Sequence, residues 1–353
     1  MIKFIAVVLV AVCFLVSCSD NAENERGALF EEQMFVLGTI VNVTIYGEEE
    51  SKSQKVFYDL LTDFKYMQAA WNPWKQGSLA RINRLLEKGE SFSIDPGVKK
   101  LIEESKVLSK QSDGLFNPAI GDLVKLWGFD EDEMPQGLPP EKESIEQWLA
   151  QKQSMEDLQL DELMLSSRNP QIKLDFGAFA KGYGVDRAIE HVKSLGVNNA
   201  IVNAGGDLRA IGNKGGVPWT IGIRNPRGEN IIASLKIDGD ESVFTSGDYE
   251  RYYEYNGKRY HHILDPRTGY PADKFSSVTV VHQSAAVADA AATALFIAGP
   301  TAWERIAKQM KIKQAMLIDT QGTIYLTPQM ERRVQLLGKQ PLKVIRSAAF
   351  AND

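Results

Sequence analysis

Apolar positions along the chain follow two different periods. Alternating, β-branched stretches predict strands over 34–47, over 172–177 entering a turn, and over 276–282. Between 199 and 255 further stretches of this kind are separated by tight turns, which predicts a run of antiparallel strands. Apolar positions at helical spacing predict helices over 51–70, 78–89, 97–110 and 178–195. Strands and helices in this order predict an α+β (mixed α/β) fold rather than a doubly wound sheet.

One further stretch, AAVADAAATALFIAG (285–299), is almost entirely small or apolar and predicts a buried helix that carries Asp289. A buried carboxylate is costly unless it is paired. Thr293 lies one turn later on the same face, and two hard oxygen donors suit Mg²⁺ or Ca²⁺ rather than Zn²⁺. Alternatively, Asp289 caps amides near the helix start and Thr293 bonds back within the helix. Taken alone, the two residues favour this capping interpretation.

The sequence HHILDPRTGYP (261–271) holds two of the four histidines of the chain next to a tight turn. Either His262 or Asp265 is placed to act as a general base toward a reacting hydroxyl. The alternative is that Asp265 and Thr268 only brace the turn.

In LDFGAFAKGYGVD (174–186) a strand ends, a glycine turns the chain and a helix opens. Free N–H groups at a helix start suit an anion, and Lys181 adds a positive charge. The stretch matches neither the P-loop nor the dinucleotide fingerprint, and an ordinary turn with a surface lysine is the alternative. The Gly-Asp turns NAGGD (203–207) and TSGDYERYY (245–253) are open to the same two interpretations.

The N-terminus predicts export. Residues 1–17 carry one positive charge and then an apolar run that is short for a membrane span. The run ends at Leu15-Val16-Ser17-Cys18, which resembles a bacterial lipoprotein box in which Cys18 is lipidated after cleavage; a plain secretory signal or a transmembrane anchor are the alternatives. Residues 18–33 are polar and predict a tether. We expect an exported protein that is lipid-anchored to a bacterial membrane, inner or outer, facing the periplasm if two membranes are present.

Cysteine usage and charge narrow the chemistry. Both cysteines of the chain, Cys13 and Cys18, lie in the signal region, so the mature domain has no disulfide, Cys ligand or Cys nucleophile. The net charge is −6, and loss of Lys3 with the signal makes it more negative. With no basic run, the chain is not expected to bind nucleic acid.

Eight motifs occur in one order between about residues 34 and 327: LGT, LARIN, DGLFNPAIGDLVKLWGF, LDFGAFAKGYGVD, NAGGD, TSGDYERYY, HHILDPRTGYP and ADAAATAL. In this order they resemble the ApbE-type FAD:protein FMN transferase family. The resemblance assigns 34–330 to one flavin transferase domain, followed by a C-terminal tail over 331–353. It implies two lobes with mixed or antiparallel sheets and flanking helices, and FAD in the cleft between them.

The resemblance also implies the activity. Such enzymes use Mg²⁺, take FAD as substrate, place FMN on a Thr or Ser hydroxyl of an acceptor protein as a phosphoester, and release AMP. Acceptors are redox-pump subunits or exported flavoproteins. A Mg²⁺-dependent FAD diphosphatase that yields FMN and AMP, or a non-catalytic flavin-binding lipoprotein, are the alternatives.

Site residues follow from the resemblance position by position. Asp289, Thr293 and the backbone carbonyl of Ala178 take the metal-binding positions. His262 and Asp265 are both retained as candidates for the base that takes the proton of the acceptor hydroxyl. The FAD-contacting positions are Leu37, Trp71, Leu115, Phe116, Asn117, Asp175, Lys181 and Ile263. The chain departs from the family pattern at 77–80, where Gly77-Ser78 and Ala80 replace the usual polar residues.

Overall fold

The structure is a computed structural model that describes residues 27–131, 137–337 and 343–350. The predicted signal peptide, Cys18 and most of the predicted tether lie outside the described residues.

Strands make up much of the described chain. Their bounds are β1 (Leu29–Val36), β2 (Thr39–Tyr46), β3 (Phe92–Ser93), β4 (Leu158–Asp161), β5 (Met164–Ser167), β6 (Ala200–Ala204), β7 (Asp207–Ile211), β8 (Trp219–Arg224), β9 (Ile231–Ile237), β10 (Glu241–Gly247), β11 (Tyr252–Tyr255), β12 (Lys258–His261), β13 (Phe275–His282), β14 (Gln314–Asp319), β15 (Ile324–Leu326), β16 (Gln335–Leu336) and β17 (Val344–Arg346). The helices are α1 (Glu50–Trp71), α2 (Ser78–Leu86), α3 (Pro96–Gln111), α4 (Gly121–Leu126), α5 (Lys142–Ala150), α6 (Ala180–Ser194), α7 (Ala285–Gln309) and α8 (Pro328–Glu331).

A nine-stranded sheet organises the molecule, in the order β1-β2-β6-β7-β10-β13-β14-β15-β17. Adjacent strands of this sheet are antiparallel, except for the last pair, β15 and β17, which is parallel. Smaller sheets are formed by β16-β9-β8, β3-β5-β4 and the hairpin β11-β12. The prediction of an α+β fold with antiparallel and mixed sheets is therefore confirmed.

Alternate residues of the large sheet enter two different cores. Phe244 of β10 packs with the helices in the main core, whereas its neighbour Val243 packs against the β16-β9-β8 sheet. This is the period of two that places successive side chains on opposite faces. A third, smaller core around Trp127 and Phe129 lies under the loop that carries Leu264.

The prediction of a single strand over 34–47 is wrong. The chain reverses at Leu37 and Gly38, whose φ angles are 54° and 70°, and β1 pairs with β2 as a hairpin. The alternation changes phase at the turn: the buried side chains are at even positions in β1 (Met34, Val36) and at odd positions in β2 (Val41, Val43), and both sets face the same core. Strand β1 already begins at Leu29; its polar, exposed side chains hid it, as is usual for an edge strand.

The strand predicted over 172–177 is also absent. Of this stretch, Lys173 makes only an isolated bridge to Ile120. The neighbouring Leu174 satisfies its backbone with the side chain of Asn83, which accepts from its N–H at 2.8 Å and donates to its carbonyl at 3.0 Å. A side-chain amide here takes the place of a neighbouring strand.

The helices predicted over 51–70, 78–89, 97–110 and 178–195 are confirmed as α1, α2, α3 and α6, and the helix predicted over 285–299 as the first part of α7. Helix α7 is interrupted at Gly299, with φ 69°, followed by Pro300. Among the described helices α7 alone is long and apolar enough to span a membrane, but most of it is buried inside the protein. It is a central core helix, packed against α6, β10 and β13.

Candidate active site

Helices α6 and α7 approach each other closely at Gly182. A Cβ on this residue would lie 2.4 Å from the carbonyl oxygen of Ala285 and 2.8 Å from the Cβ of Asp289. Asp289, 7% exposed, accepts a hydrogen bond from the Gly182 N–H through Oδ2, at 2.9 Å. The glycine of the AKGYG motif therefore permits the contact that brings the two predicted motifs together.

The carboxylate of Asp289 is in an unfavourable environment for a charge. Burial raises its pKa to about 7, against the opposing effects of Lys181 and the Gly182 N–H. Among the described residues no other group donates a hydrogen bond to it. Asp289 does cap a helix, as the capping interpretation required, but it caps α6 rather than its own helix.

Thr293 lies one turn beyond Asp289, and its hydroxyl is 3.2 Å from the hydroxyl of Ser246 on β10. The two hydroxyls and the carboxylate thus face the junction of α6, α7 and β10. In the described ranges no group of three or more His, Cys, Asp or Glu side chains is close enough to hold a metal ion. A cation bound here would also need hydroxyl, carbonyl or ligand oxygens.

Lys181, at the start of α6, forms an ion pair with Asp207, which ends the NAGGD turn sequence and is the first residue of β7. Asp207 also accepts from the N–H of Thr245 at 2.7 Å, which ties the turn to β10. Burial disfavours the charged lysine, but Asp207 and Asp289 outweigh this and raise its pKa. The lysine is therefore a cation within the site. Asp207 was not among the predicted site residues, and the NAGGD turn was the only sequence signal for it.

The turn before α6 carries two further predicted residues, Asp175 and Ala178. The N–H of Asp175 donates to the carbonyl of Pro118 at 2.8 Å, and its Oδ1 accepts from the N–H of Gly177 at 2.6 Å. Burial raises the pKa of Asp175, and the bond from Gly177 opposes this. Ala178 follows, partly buried, two residues before α6 begins.

The loop whose Pro118 carbonyl accepts from Asp175 also contains Leu115, Phe116 and Asn117. Leu115 and Phe116 are buried, and the Phe116 ring lies 5.9 Å from that of Phe179. The Asn117 side chain accepts from the Ala119 N–H and donates to the Gln153 carbonyl, both at 3.0 Å. These side chains hold the loop in place, so contacts from them to a ligand would come chiefly from the backbone.

The side chains of Leu37 and Trp71 both approach Gly184, one turn into α6. A Cβ on Gly184 would lie 3.3 Å from Leu37 and 3.5 Å from Trp71. Leu37 holds a positive φ, which is uncommon for a bulky residue, and its N–H donates to Gln68 at 2.7 Å. The indole N–H of Trp71 is buried and has no acceptor among the described residues. An unsatisfied buried donor at this position suits an acceptor atom of a bound ligand.

His262 is neutral, and its Nε2 makes no hydrogen bond to the described part of the chain. Its Nδ1 lies 3.2 Å from the carbonyl oxygen of Arg251, which assigns the proton to Nδ1 and leaves the Nε2 lone pair available. Burial lowers the pKa of His262 to about 3, and the positive charges of Arg251 and Lys181 act in the same direction. The edge of the ring faces Phe129 at 6.3 Å.

Asp265, by contrast, is occupied within its own turn. It accepts from the N–H and Nε of Arg267 at 2.9 Å, and an Arg267 terminal nitrogen lies 2.7 Å from its other oxygen. Ile263 is buried, and its carbonyl accepts from the N–H of Ala272 at 3.0 Å. The bonds between Asp265 and Arg267 agree with a bracing role for Asp265, and they favour His262 as the base.

The site therefore joins α6, α7, the turn before α6, the start of β7, and the loop after β12. A cavity of about 340 Å³ lies elsewhere, between β1 and α1, and none of the predicted site residues lines it.

A model of the ApbE family matches residues 37–318. The FAD:protein FMN transferase of Rhodobacter capsulatus is 36% identical over 304 residues, which are 86% of this chain but only 58% of that protein. The FAD:protein FMN transferase of Haemophilus influenzae is 30% identical over 281 residues, 78% of this chain and 81% of that protein. The crystal structure of the ApbE protein of Thermotoga maritima matches with a TM-score of 0.80 at 32% identity, over 86% of this chain and 99% of that one.

Proposed function

The chain belongs to the ApbE family, and we propose from this that it is an FAD:protein FMN transferase. It moves FMN from FAD to a Thr or Ser hydroxyl of an acceptor protein. The hydroxyl oxygen forms a bond to the FMN phosphorus, the diphosphate bond of FAD breaks, and AMP leaves with the bridging oxygen.

The observation that carries the proposal is the buried carboxylate of Asp289 at the contact between α6 and α7. Its raised pKa shows that the protein around it compensates its charge only in part. Together with the Thr293 hydroxyl it offers the hard oxygen donors that Mg²⁺ prefers. The carboxylate and the hydroxyl therefore fit a Mg²⁺ ion, which would neutralise charge on the diphosphate. The family resemblance adds the Ala178 carbonyl as a third ligand.

The other residues bind and orient the reactants. Lys181, which the neighbouring carboxylates keep charged, would attract the anionic diphosphate of FAD. Leu37 and Trp71 supply an apolar wall and an aromatic plane for the flavin ring. His262 accepts the proton of the acceptor hydroxyl at Nε2, since its Nδ1 is held by a carbonyl.

The cellular setting is part of the same proposal. The lipoprotein box at Cys18 supports export and lipid anchoring to a bacterial membrane. The acceptor is then an exported flavoprotein or a subunit of a membrane redox pump with an exposed Thr or Ser.

AMP release from FAD by the purified protein tests the proposal. The reaction is run with Mg²⁺ or with EDTA, and with or without an acceptor that has an exposed Thr. Release that needs both Mg²⁺ and acceptor, with fluorescent flavin retained on the denatured acceptor, supports the transferase. Mg²⁺-dependent release without acceptor would instead indicate an FAD diphosphatase, and bound FAD without any release would indicate a carrier.

A further inference from the structure

Helices α6 and α7 each cap the other with a carboxylate. Asp289 of α7 accepts from the N–H of Gly182, in the first turn of α6. In the opposite direction, Asp186 of α6 accepts from the N–H groups of Ala285 at 2.8 Å and Ala286 at 3.0 Å, the first two residues of α7. The contact is therefore reciprocal.

Side-chain oxygens accept from the backbone N–H groups at the start of α7. The Ser284 hydroxyl donates to Asp186 at 2.7 Å and accepts from the N–H of Val287 at 3.3 Å. Together Asp186 and Ser284 thus take up the first three amides of the helix, which would otherwise be without partners. A carboxylate at this end also interacts favourably with the helix dipole.

The spacing fixes the two helices in register. Gly182 and Asp186 are four residues apart on α6, and Ala285 and Asp289 are four residues apart on α7, so each pair lies on one helix face. Neither helix can slide or rotate without losing one of the two caps. The position of the Asp289 carboxylate is thereby set by a residue that does not touch it.

Arg209 on β7 holds Asp186 from the other side, at 2.8 Å, and is 7% exposed. The same guanidinium binds Asp240 at 2.8 and 2.9 Å. Asp240 makes no hydrogen bond to α7 among the described residues. The two aspartates thus share one arginine, but among the described contacts only Asp186 caps α7, which makes Asp240 a matched control.

We propose that Asp186 is a positioning residue of the metal site: by capping α7 it holds Asp289 at the distance and orientation at which the carboxylate binds a divalent cation. The inference rests on the metal site of the proposed function. Partners of this kind, which orient a ligand without touching the metal, typically contribute 10- to 100-fold to metal affinity.

The test compares Asp186→Asn with Asp240→Asn in the full chain. The asparagine keeps the size of the side chain but turns an N–H₂ group toward amides that need an acceptor. Mn²⁺ binding is measured by electron paramagnetic resonance, and thermal unfolding by circular dichroism shows that each variant is folded. We expect Asp186→Asn to bind Mn²⁺ about tenfold or more weakly, and Asp240→Asn to remain within about twofold of the wild type.

A second measurement does not depend on the metal. In the metal-free protein, peptides covering 179–183 report the hydrogen exchange of the Gly182 amide. The exchange rate of this amide should increase in Asp186→Asn but not in Asp240→Asn. If Asp186→Asn does not fold, Ser284→Ala, which removes only the hydroxyl link, should weaken Mn²⁺ binding by about threefold.

Equal Mn²⁺ binding by the wild type and folded Asp186→Asn would overturn this inference and leave the proposed function untouched. Equal losses of Mn²⁺ affinity in the two aspartate variants would do the same. An unchanged affinity in folded Ser284→Ala would do the same. No Mn²⁺ binding by the wild type would remove the proposed metal site, and this inference with it.

Discussion

Replacement of Gly182 by alanine should separate α6 from α7, whereas the same change at Gly184 should not. A Cβ at 182 would lie 2.4 Å from the Ala285 oxygen and 2.8 Å from the Ala285 carbonyl carbon, and both are backbone atoms. Ordinary contacts need about 1 Å more, so the whole of α7 has to move. At Gly184 the nearest atoms, 3.3 to 3.6 Å away, are the ends of the Leu37, Trp71 and Met67 side chains, which can adjust.

The expected magnitudes follow from these contacts. Overpacking against rigid neighbours costs about 1–3 kcal/mol, and alanine regains at most about 1 kcal/mol over glycine in a helix. The free energy of unfolding of Gly182→Ala should therefore fall by up to about 2 kcal/mol, while Gly184→Ala should be unchanged or slightly more stable. Urea denaturation followed by tryptophan fluorescence, with EDTA present, measures both. Equal stabilities of the two variants would refute the reasoning.

Four further predictions concern the site. Burial raises the pKa of Asp289 to about 7, so between about pH 4 and pH 7 the folded state retains a proton that the unfolded state has released. Wild-type stability without metal should fall as the pH rises through this window. Asp289→Asn should not show that fall in stability when urea denaturation is compared at pH 5 and pH 8. It should also transfer FMN at least about a hundredfold more slowly than the wild type. A pH dependence of stability identical to that of the wild type would contradict this. His262→Gln should slow transfer about a hundredfold or more while FAD binding, measured by fluorescence, stays within about twofold, since only the base is lost. Asp265→Asn should leave transfer within about threefold and reduce stability by about 1 kcal/mol, because it braces a turn; a loss of transfer as large as that of His262→Gln would reverse the two roles. The pKa of His262 is lowered to about 3, so the unfolded state takes up a proton as the pH falls below about 6.5 and the folded state does not. Acid should therefore destabilise the wild type more than His262→Gln between pH 6.5 and 4, and equal losses in denaturation curves would exclude this.

The local pattern of apolar residues was sufficient to predict most of the long helices. The apolar period in 51–70 and 97–110 reflects one buried face of each helix, and neighbours in sequence fix that face. The order of the motifs was enough to indicate the family, which the comparisons confirm. The same pattern was insufficient where the chain bonds to distant groups: Leu174 looks like a strand residue in sequence, but its partner is the side chain of Asn83.

For the site, the sequence determined which chemical groups are available: no thiol beyond Cys18, few histidines, and a carboxylate inside an apolar helix. It left open whether Asp289 caps a helix, whether His262 or Asp265 has a free atom, and whether Lys181 lies at the surface. Only the tertiary structure decided these points, because the partners of Asp289 and Lys181 are distant in the chain. The partner of Asp265 is the nearby Arg267, but that contact depends on the geometry of the folded turn. The residue that meets Asp289 is Gly182, 107 positions earlier, and nothing in the local sequence around either residue encodes that contact.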